Sequence, residues 1–295
     1  MLLWVYNQFV INYFQAVLFG LVQGITELFP ISSLGHSVLL PKLVGWTVDQ
    51  KDPSFLTFLI ATHAATAFVL FLFFIQDWKR LGMGIFRSLK NREINEKDAD
   101  AKLAWILIVT TIPAGLLGVL FEEFFKNLFA SPNIVAIVLV FNGGMLFIGE
   151  ILRRKSKLQE TTVNSDKRLA KLTWIQSIQV GFLQCIALIP GFSRTGATIT
   201  GGLLVGLSHE DAVRFSFLLA TPIIGAAAVL KLPELATQAS QQMLGPTIVG
   251  AVFAGCGAYF SVRFLIKYFK TEKLWPFAVY CVLFGILALL VLLFR

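Results

Sequence analysis

The chain alternates between long apolar runs and short polar clusters. Apolar segments fall at about 10–29, 31–45, 54–76, 103–121, 133–152, 174–192, 196–207, 214–230, 246–266 and 275–294. A membrane-crossing helix needs about 20 apolar residues. The segments 31–45 and 196–207 fall short of that. Each follows a proline and a serine-bearing turn, Pro30-Ile31-Ser32-Ser33 in the first case and Pro190-Gly191-Phe192-Ser193 in the second. Proline and glycine at those places break a helix and release backbone groups. Such groups survive at membrane depth only inside protein or beside a water-filled cavity. The pattern therefore predicts re-entrant helix–turn–helix hairpins at 10–45 and 174–207, with the other six segments crossing fully.

The two hairpins resemble each other. Gly20-Leu21-Val22-Gln23-Gly24-Ile25 aligns without a gap on Gly181-Phe182-Leu183-Gln184-Cys185-Ile186, at an offset of 161 residues. In that register Ser32 meets Ser193, Ser33 meets Arg194 and Gly35 meets Gly196. Three spans follow each hairpin, so the second half must enter the membrane with opposite orientation. The expected fold is thus an all-α polytopic membrane protein with an inverted-topology repeat. It forms one membrane domain over 1–295, with a first repeat in 1–152 and a second in 153–295.

Composition agrees with the pattern: 56% of the 295 residues are hydrophobic and 14% are charged, where soluble domains carry roughly 25% charge. The net charge of +8 would suggest a nucleic-acid partner in a soluble protein. In a membrane chain it reads instead as the cytoplasmic excess of Lys and Arg, with membrane lipids as partners and no nucleic acid. Assigning the loops alternately to two sides puts nineteen Lys and Arg on one side and five on the other, with Arg194 inside a hairpin. The richer side, which includes the mixed-charge loops 77–102 and 153–173, is expected to be cytoplasmic. Both termini are then outside. The first charged residue is Glu27, so the opening run lacks the basic start of a secretory signal and reads as part of the fold. Cys185, Cys256 and Cys281 lie in apolar stretches without metal spacing, and no disulfide is implied.

Ionisable residues expected within the membrane are few: Glu27, His36, His63, Arg194 and, near a span's end, Glu150. Burying a charge in hydrocarbon costs several kcal/mol unless it is paired, which makes these the candidates for function. Gln23 and Glu27 stand four apart on one helix face, and such an oxygen pair suits a divalent cation. Ser33 and His36 lie just across the turn, where a hydroxyl and an imidazole could meet. The second turn, Pro190-Gly191-Phe192-Ser193-Arg194-Thr195-Gly196-Ala197-Thr198, sets an arginine among hydroxyls at a helix start. Helix N–H groups, a bidentate guanidinium and hydroxyl donors together make a phosphate cradle. An Arg194–Glu27 pair is the structural alternative, compatible with the cradle. His63 is read as a packing histidine, Glu150 as a partner of Arg153 and Arg154, and His209 as a helix cap.

Glu27-Leu-Phe-Pro-Ile-Ser-Ser-Leu-Gly-His36 and Pro190-Gly-Phe-Ser-Arg-Thr-Gly-Ala-Thr198 are the places where the chain most strongly resembles the undecaprenyl-diphosphate phosphatases, or bacitracin-resistance proteins. The resemblance covers nearly the whole chain. It implies hydrolysis of undecaprenyl diphosphate to undecaprenyl phosphate and phosphate, recycling the lipid carrier of cell-wall synthesis in the bacterial plasma membrane. Carried over, the catalytic residues are Glu27, Ser33, His36 and Arg194. Substrate binding falls on Ser32, Ser193, Arg194, Thr195 and Thr198. A divalent cation, Mg2+, falls on Gln23 and Glu27. Many members have glutamate at the place of Gln23, and a serine at that of Thr195. Ser33 is the candidate nucleophile with His36 assisting proton transfer, and His36 itself or water is the alternative. A homodimer is compatible with this reading, and a flippase for undecaprenyl phosphate is the alternative.

Overall fold

The computed structural model describes residues 11–50, 52–95, 97–121, 124–125, 131–153, 165–231 and 243–294. The opening residue of the first expected hairpin, and Arg154 as a partner of Glu150, lie outside the described residues. So do several of the counted loop charges, Lys51, Lys126, Lys155, Lys157 and Arg295 among them.

The described residues are helical, without strands. In chain order the helices are α1 (Tyr13–Leu28), α2 (Ser33–Val44), α3 (Pro53–Phe73), α4 (Ile75–Asn91), α5 (Ala99–Leu120), α6 (Pro132–Leu152), α7 (Ser165–Leu169), α8 (Trp174–Cys185), α9 (Arg194–Leu204), α10 (His209–Lys231), α11 (Leu244–Tyr268) and α12 (Trp275–Leu293). A single 3-10 turn, Ile186–Leu188, extends α8. Six helices are long and apolar enough to cross a membrane: α3, α5, α6, α10, α11 and α12. They are the six segments expected to cross.

The short helices begin and end where local chemistry dictates. At the start of α1 the Asn12 side chain accepts from Gln15 N–H at 2.9 Å while the Gln15 side chain accepts from Asn12 N–H at 3.0 Å. Thr173 and Gln176 build the same reciprocal cap at the start of α8, at 2.8 and 3.2 Å. Each box ties down two amides that have no partner within the helix. Both helices then stop before a proline: Phe29, ahead of Pro30, has φ −71° and ψ 144°, and Ile189, ahead of Pro190, has φ −81° and ψ 121°. Steric conflict with the proline ring favours that extended conformation.

Packing is close where glycines allow it. A Cβ added at Gly24 would lie 2.1 Å from the Ala254 carbonyl oxygen, so α1 rides directly on the backbone of α11. Small residues at such contacts let helices associate in lipid, where burial of apolar surface gives little drive. α8 packs on α5, α6 on α12, and α3 on α10 and α11.

The segment 77–102, expected as a solvated loop, is mostly α4. Leu81, Gly84 and Ser88 recur on its buried face, at the spacing of one helical side, and pack on α5. Trp105 Nε1 donates to Ser88 Oγ at 2.8 Å. The abundance of Lys and Arg masks that face in a reading by hydropathy alone. The charges of α4 and α7 meet those at the start of α10. Arg80 and Arg214 both reach Asp166, at 2.5 and 2.8 Å, and Arg168 reaches Asp211 at 2.7 Å. These segments, assigned to one side by charge, thus share one end of the molecule. There Glu150 pairs with His209 at 2.8 Å and with Arg153 at 3.4 Å. His209 is therefore a hydrogen-bond partner of Glu150, and the capping oxygen is that of Ser208, which accepts from Asp211 N–H.

Candidate active site

The two broken turns meet inside the helix bundle. Asn142, fully buried in α6, holds them together: its Nδ2 donates to the Pro30 carbonyl at 3.0 Å, and its Oδ1 accepts from Ser193 N–H at 2.9 Å. Nδ2 also reaches Cys281 Sγ at 3.3 Å. One amide thus satisfies a backbone group of each turn, and Cys281 Sγ also reaches the Pro30 carbonyl at 3.9 Å. Gly191 adopts φ +105°, which side-chain-bearing residues avoid, and a Cβ there would press on the Val135 carbonyl at 2.7 Å. The turn therefore lies flat against α6.

The next helix of each hairpin starts at this junction. Ser32 caps α2 by accepting from Gly35 N–H at 3.2 Å, and Ser193 caps α9 by accepting from Gly196 N–H at 3.1 Å. Two positive helix ends face the same place. Ser32 has φ 68°, a conformation costing on the order of 1–3 kcal/mol for a residue other than glycine. Its cap and its carbonyl, which accepts from both the amide and the ring of His36, hold it there.

Glu27 stands at the centre. Its Oε2 accepts from Ser33 Oγ at 2.5 Å and from Gln23 Nε2 at 3.2 Å, and it lies 3.3 Å from His63 Nε2. Its Oε1 accepts from Arg194 Nη2 at 3.1 Å, and its backbone carbonyl accepts from Thr195 Oγ1 at 2.9 Å. Glu27 and Arg194 are both largely buried, with side chains 7% and 14% exposed. A buried carboxylate is tolerable only with such partners, because desolvation costs several kcal/mol per ion. Thr198 Oγ1 bonds the Arg194 carbonyl at 2.9 Å and Ser216 Oγ at 2.5 Å, which fixes the first turn of α9 against α10.

Of the residues expected in the site, Gln23, Glu27, Ser33, Arg194 and Thr195 come together, while Ser32, Ser193 and Thr198 build the turns. The His36 ring turns elsewhere. Its Nδ1 donates to the Ser32 carbonyl at 2.7 Å, so Nε2 accepts from Tyr280 O–H, also at 2.7 Å. Tyr280 and Phe284 stack on the ring. The Ser33 hydroxyl goes to Glu27 rather than to His36.

Two neighbours of the site were not expected from the sequence. Asn142 is a lone amide in mid-span, costly in lipid without partners. His63 was read as packing. A second internal match marks its helix: Phe58-Leu59-Ile60-Ala61-Thr62-His63 repeats as Phe217-Leu218-Leu219-Ala220-Thr221-Pro222.

Among the described residues no three His, Cys, Asp or Glu cluster in a way that could hold a metal ion. Gln23 Oε1, however, is buried beside Glu27 without a hydrogen-bond partner. One carboxylate and one spare oxygen suit Mg2+, which usually shares its ligands between the protein and bound phosphates. The residues present fit a cation of that kind.

These features define a polytopic membrane protein with a buried acid–arginine pair between two broken helices. The chain belongs to the bacitracin resistance protein BacA family, which matches residues 16–287. It is 44% identical to the undecaprenyl-diphosphatase of Mycolicibacterium paratuberculosis, over 93% of this chain and 95% of that protein. It is also 44% identical to that of Acidiphilium cryptum, over 94% and 97% respectively.

Proposed function

We propose that this protein removes the terminal phosphate of undecaprenyl diphosphate, giving undecaprenyl phosphate and inorganic phosphate. It would thereby recycle the lipid carrier of cell-wall synthesis and confer bacitracin resistance. The observation that carries the reading is the convergence of Ser33 and Arg194 on the two oxygens of Glu27. A hydroxyl, a base and a phosphate-binding cation are the parts phosphoryl transfer needs, since its catalysis rests on positioning and charge stabilisation.

In this reading the diphosphate displaces Glu27 from Arg194 and takes the guanidinium and the helix ends for itself. Glu27 accepts the Ser33 proton as Oγ attacks the terminal phosphorus. The bond from that phosphorus to the bridging oxygen breaks, and its electron pair leaves with undecaprenyl phosphate. Glu27 passes that proton to the departing undecaprenyl phosphate and is again a carboxylate. It then takes a proton from the water that attacks the phosphoserine, the bond from phosphorus to Oγ breaks, and Glu27 returns the proton to Oγ, which releases inorganic phosphate and restores Ser33. Ser33 is preferred over His36 as nucleophile because its oxygen already touches the base. His36 would support the site by holding the Ser32 carbonyl. Ser32, Ser193, Thr195 and Thr198 would bind substrate by shaping the two helix ends. Mg2+, carried by the diphosphate and held by Gln23 and Glu27, would supply further charge neutralisation.

The membrane arrangement belongs to the same proposal. The hairpins would be re-entrant halves of an inverted repeat, 1–152 and 153–295, in the bacterial plasma membrane with both termini outside. Support comes from the equivalent caps at Asn12 and Thr173 and at Ser32 and Ser193, all 161 residues apart. The packing of α1 on α11 is likewise matched by that of α8 on α5. The same pairing favours a second reading, movement of undecaprenyl phosphate across the membrane, since inverted repeats serve alternating access. A homodimer is part of the proposal, and its test is the mass of the purified protein in detergent.

The function is tested by phosphate release from C55 diphosphate with purified Arg194→Ala and Glu27→Ala. Both are expected to lose nearly all turnover. Normal release by either would overturn the assignment, and lipid transfer across liposomes without phosphate release would favour the second reading.

A further inference from the structure

Among the described residues, His63 is the side chain on Glu27 that the mechanism above leaves unused. It sits in α3, and its Nδ1 lies 2.8 Å from the Leu59 carbonyl oxygen. A carbonyl only accepts, so Nδ1 carries a proton and the ring is held in one orientation. The other nitrogen, Nε2, lies 3.3 Å from Glu27 Oε2. An ionised carboxylate also only accepts, so the contact attracts when a proton lies between the two atoms. The neighbouring hydroxyls do not compete for the carboxylate: Thr62 bonds the Leu59 carbonyl at 2.9 Å, and Thr66 bonds the Thr62 carbonyl at 3.0 Å.

Oε2 is thereby held from three helices, by Gln23 in α1, Ser33 at the start of α2 and His63 in α3. Oε1 faces Arg194 in α9. The terminal torsion of a glutamate is broad and does not fix its own plane. The internal repeat points the same way. In the second half Pro222 stands at the place of His63, and Leu188 at that of Glu27. The histidine and the acid occur together in one half and are absent together from the other.

We infer that His63 is a positioning residue, whose Nε2 locks the Glu27 carboxylate so that Oε2 meets Ser33 while Oε1 meets Arg194. The inference rests on the phosphatase reading and deepens it. A loosened base still allows the diphosphate to bind to Arg194 and the helix ends, but it misplaces the proton acceptor.

The test is steady-state phosphate release from C55 diphosphate by the full chain in detergent, comparing wild type, His63→Met and His63→Gln. Methionine fills the volume without an N–H. Glutamine restores an N–H that reaches Glu27. For His63→Met, kcat is expected to fall about 100-fold with KM within about threefold of wild type, the scale of a misplaced catalytic group. Its melting temperature should stay close to that of wild type. His63→Gln should recover kcat to within about tenfold of wild type. A His63→Met chain as fast as wild type, or a His63→Gln chain no faster than His63→Met, overturns the inference. A wild-type chain that releases no phosphate overturns the phosphatase reading itself.

Discussion

Ser33 Oγ lies 2.5 Å from Glu27 Oε2 across a helix broken at Pro30. A separation of six positions would set the two groups well over a turn apart on a continuous helix. The break folds them onto each other, and the second broken turn adds Arg194 on the other carboxylate oxygen. The arrangement therefore depends on backbone breaks that would be a liability elsewhere in a membrane protein.

The Glu27–Arg194 pair should behave as a unit. Glu27→Gln or Arg194→Met alone leaves a buried charge without its partner and should cost about 3–5 kcal/mol. The double variant removes both charges and should recover much of that stability without recovering activity. Thermal melting in detergent, alongside phosphate release, measures the two effects separately. Equal melting losses in the single and double variants would contradict the pairing.

Asn142 should matter for turnover although no reacting group touches it. Asn142→Leu leaves the Ser193 N–H buried without its partner, at about 1–3 kcal/mol, and leaves the Pro30 carbonyl with only the Cys281 thiol at 3.9 Å. It also frees the two turns to drift apart. A drop in both melting temperature and kcat is expected. A variant with normal kcat would mean that the turns hold their register by packing alone.

Helix approach gives a comparison within the chain. Gly24→Ala should force α1 off α11, because the added carbon would lie 2.1 Å from a carbonyl oxygen, whereas a Cβ at Gly144 meets nothing within 4 Å. Melting temperatures should fall for Gly24→Ala and hold or rise slightly for Gly144→Ala, in line with the usual gain of about 0.5–1 kcal/mol for alanine within a helix.

Gln23→Glu tests the cation assignment. A second carboxylate beside Glu27 should lower the Mg2+ concentration giving half-maximal phosphate release, by about tenfold given how strongly ligand charge tunes cation sites. An unchanged or higher requirement would remove Gln23 from the cation-binding set.

The six long apolar helices and the two helix breaks were legible because lipid imposes a simple rule: a crossing helix needs an apolar run of about 20 residues, and a shorter run beside Pro and Ser marks a break. The Glu27–Arg194 pair was legible for the same reason, since two unpaired charges at that depth are untenable. Helix α4 was obscured because its Lys and Arg dominate its average hydropathy while Leu81, Gly84 and Ser88 form the packed face. The histidines show a subtler limit. Proximity in sequence favours His36, three residues beyond Ser33. A helix start at Ser33, however, swings His36 toward Tyr280, while His63 arrives from a different helix. Asn142 was silent because a single amide declares its partners only once the turns are placed.

The central claim is that Ser33, Glu27 and Arg194 form one phosphoryl-transfer site. Its most direct test is the initial rate of phosphate release from C55 diphosphate, with and without Mg2+, for wild type and Ser33→Ala. Phosphate release by the wild-type chain, and a Ser33→Ala rate lower by at least about 100-fold at saturating substrate with or without Mg2+, is the expected result. Release by Ser33→Ala at the wild-type rate would contradict the account, because the hydroxyl held on Glu27 would then have no part in the reaction.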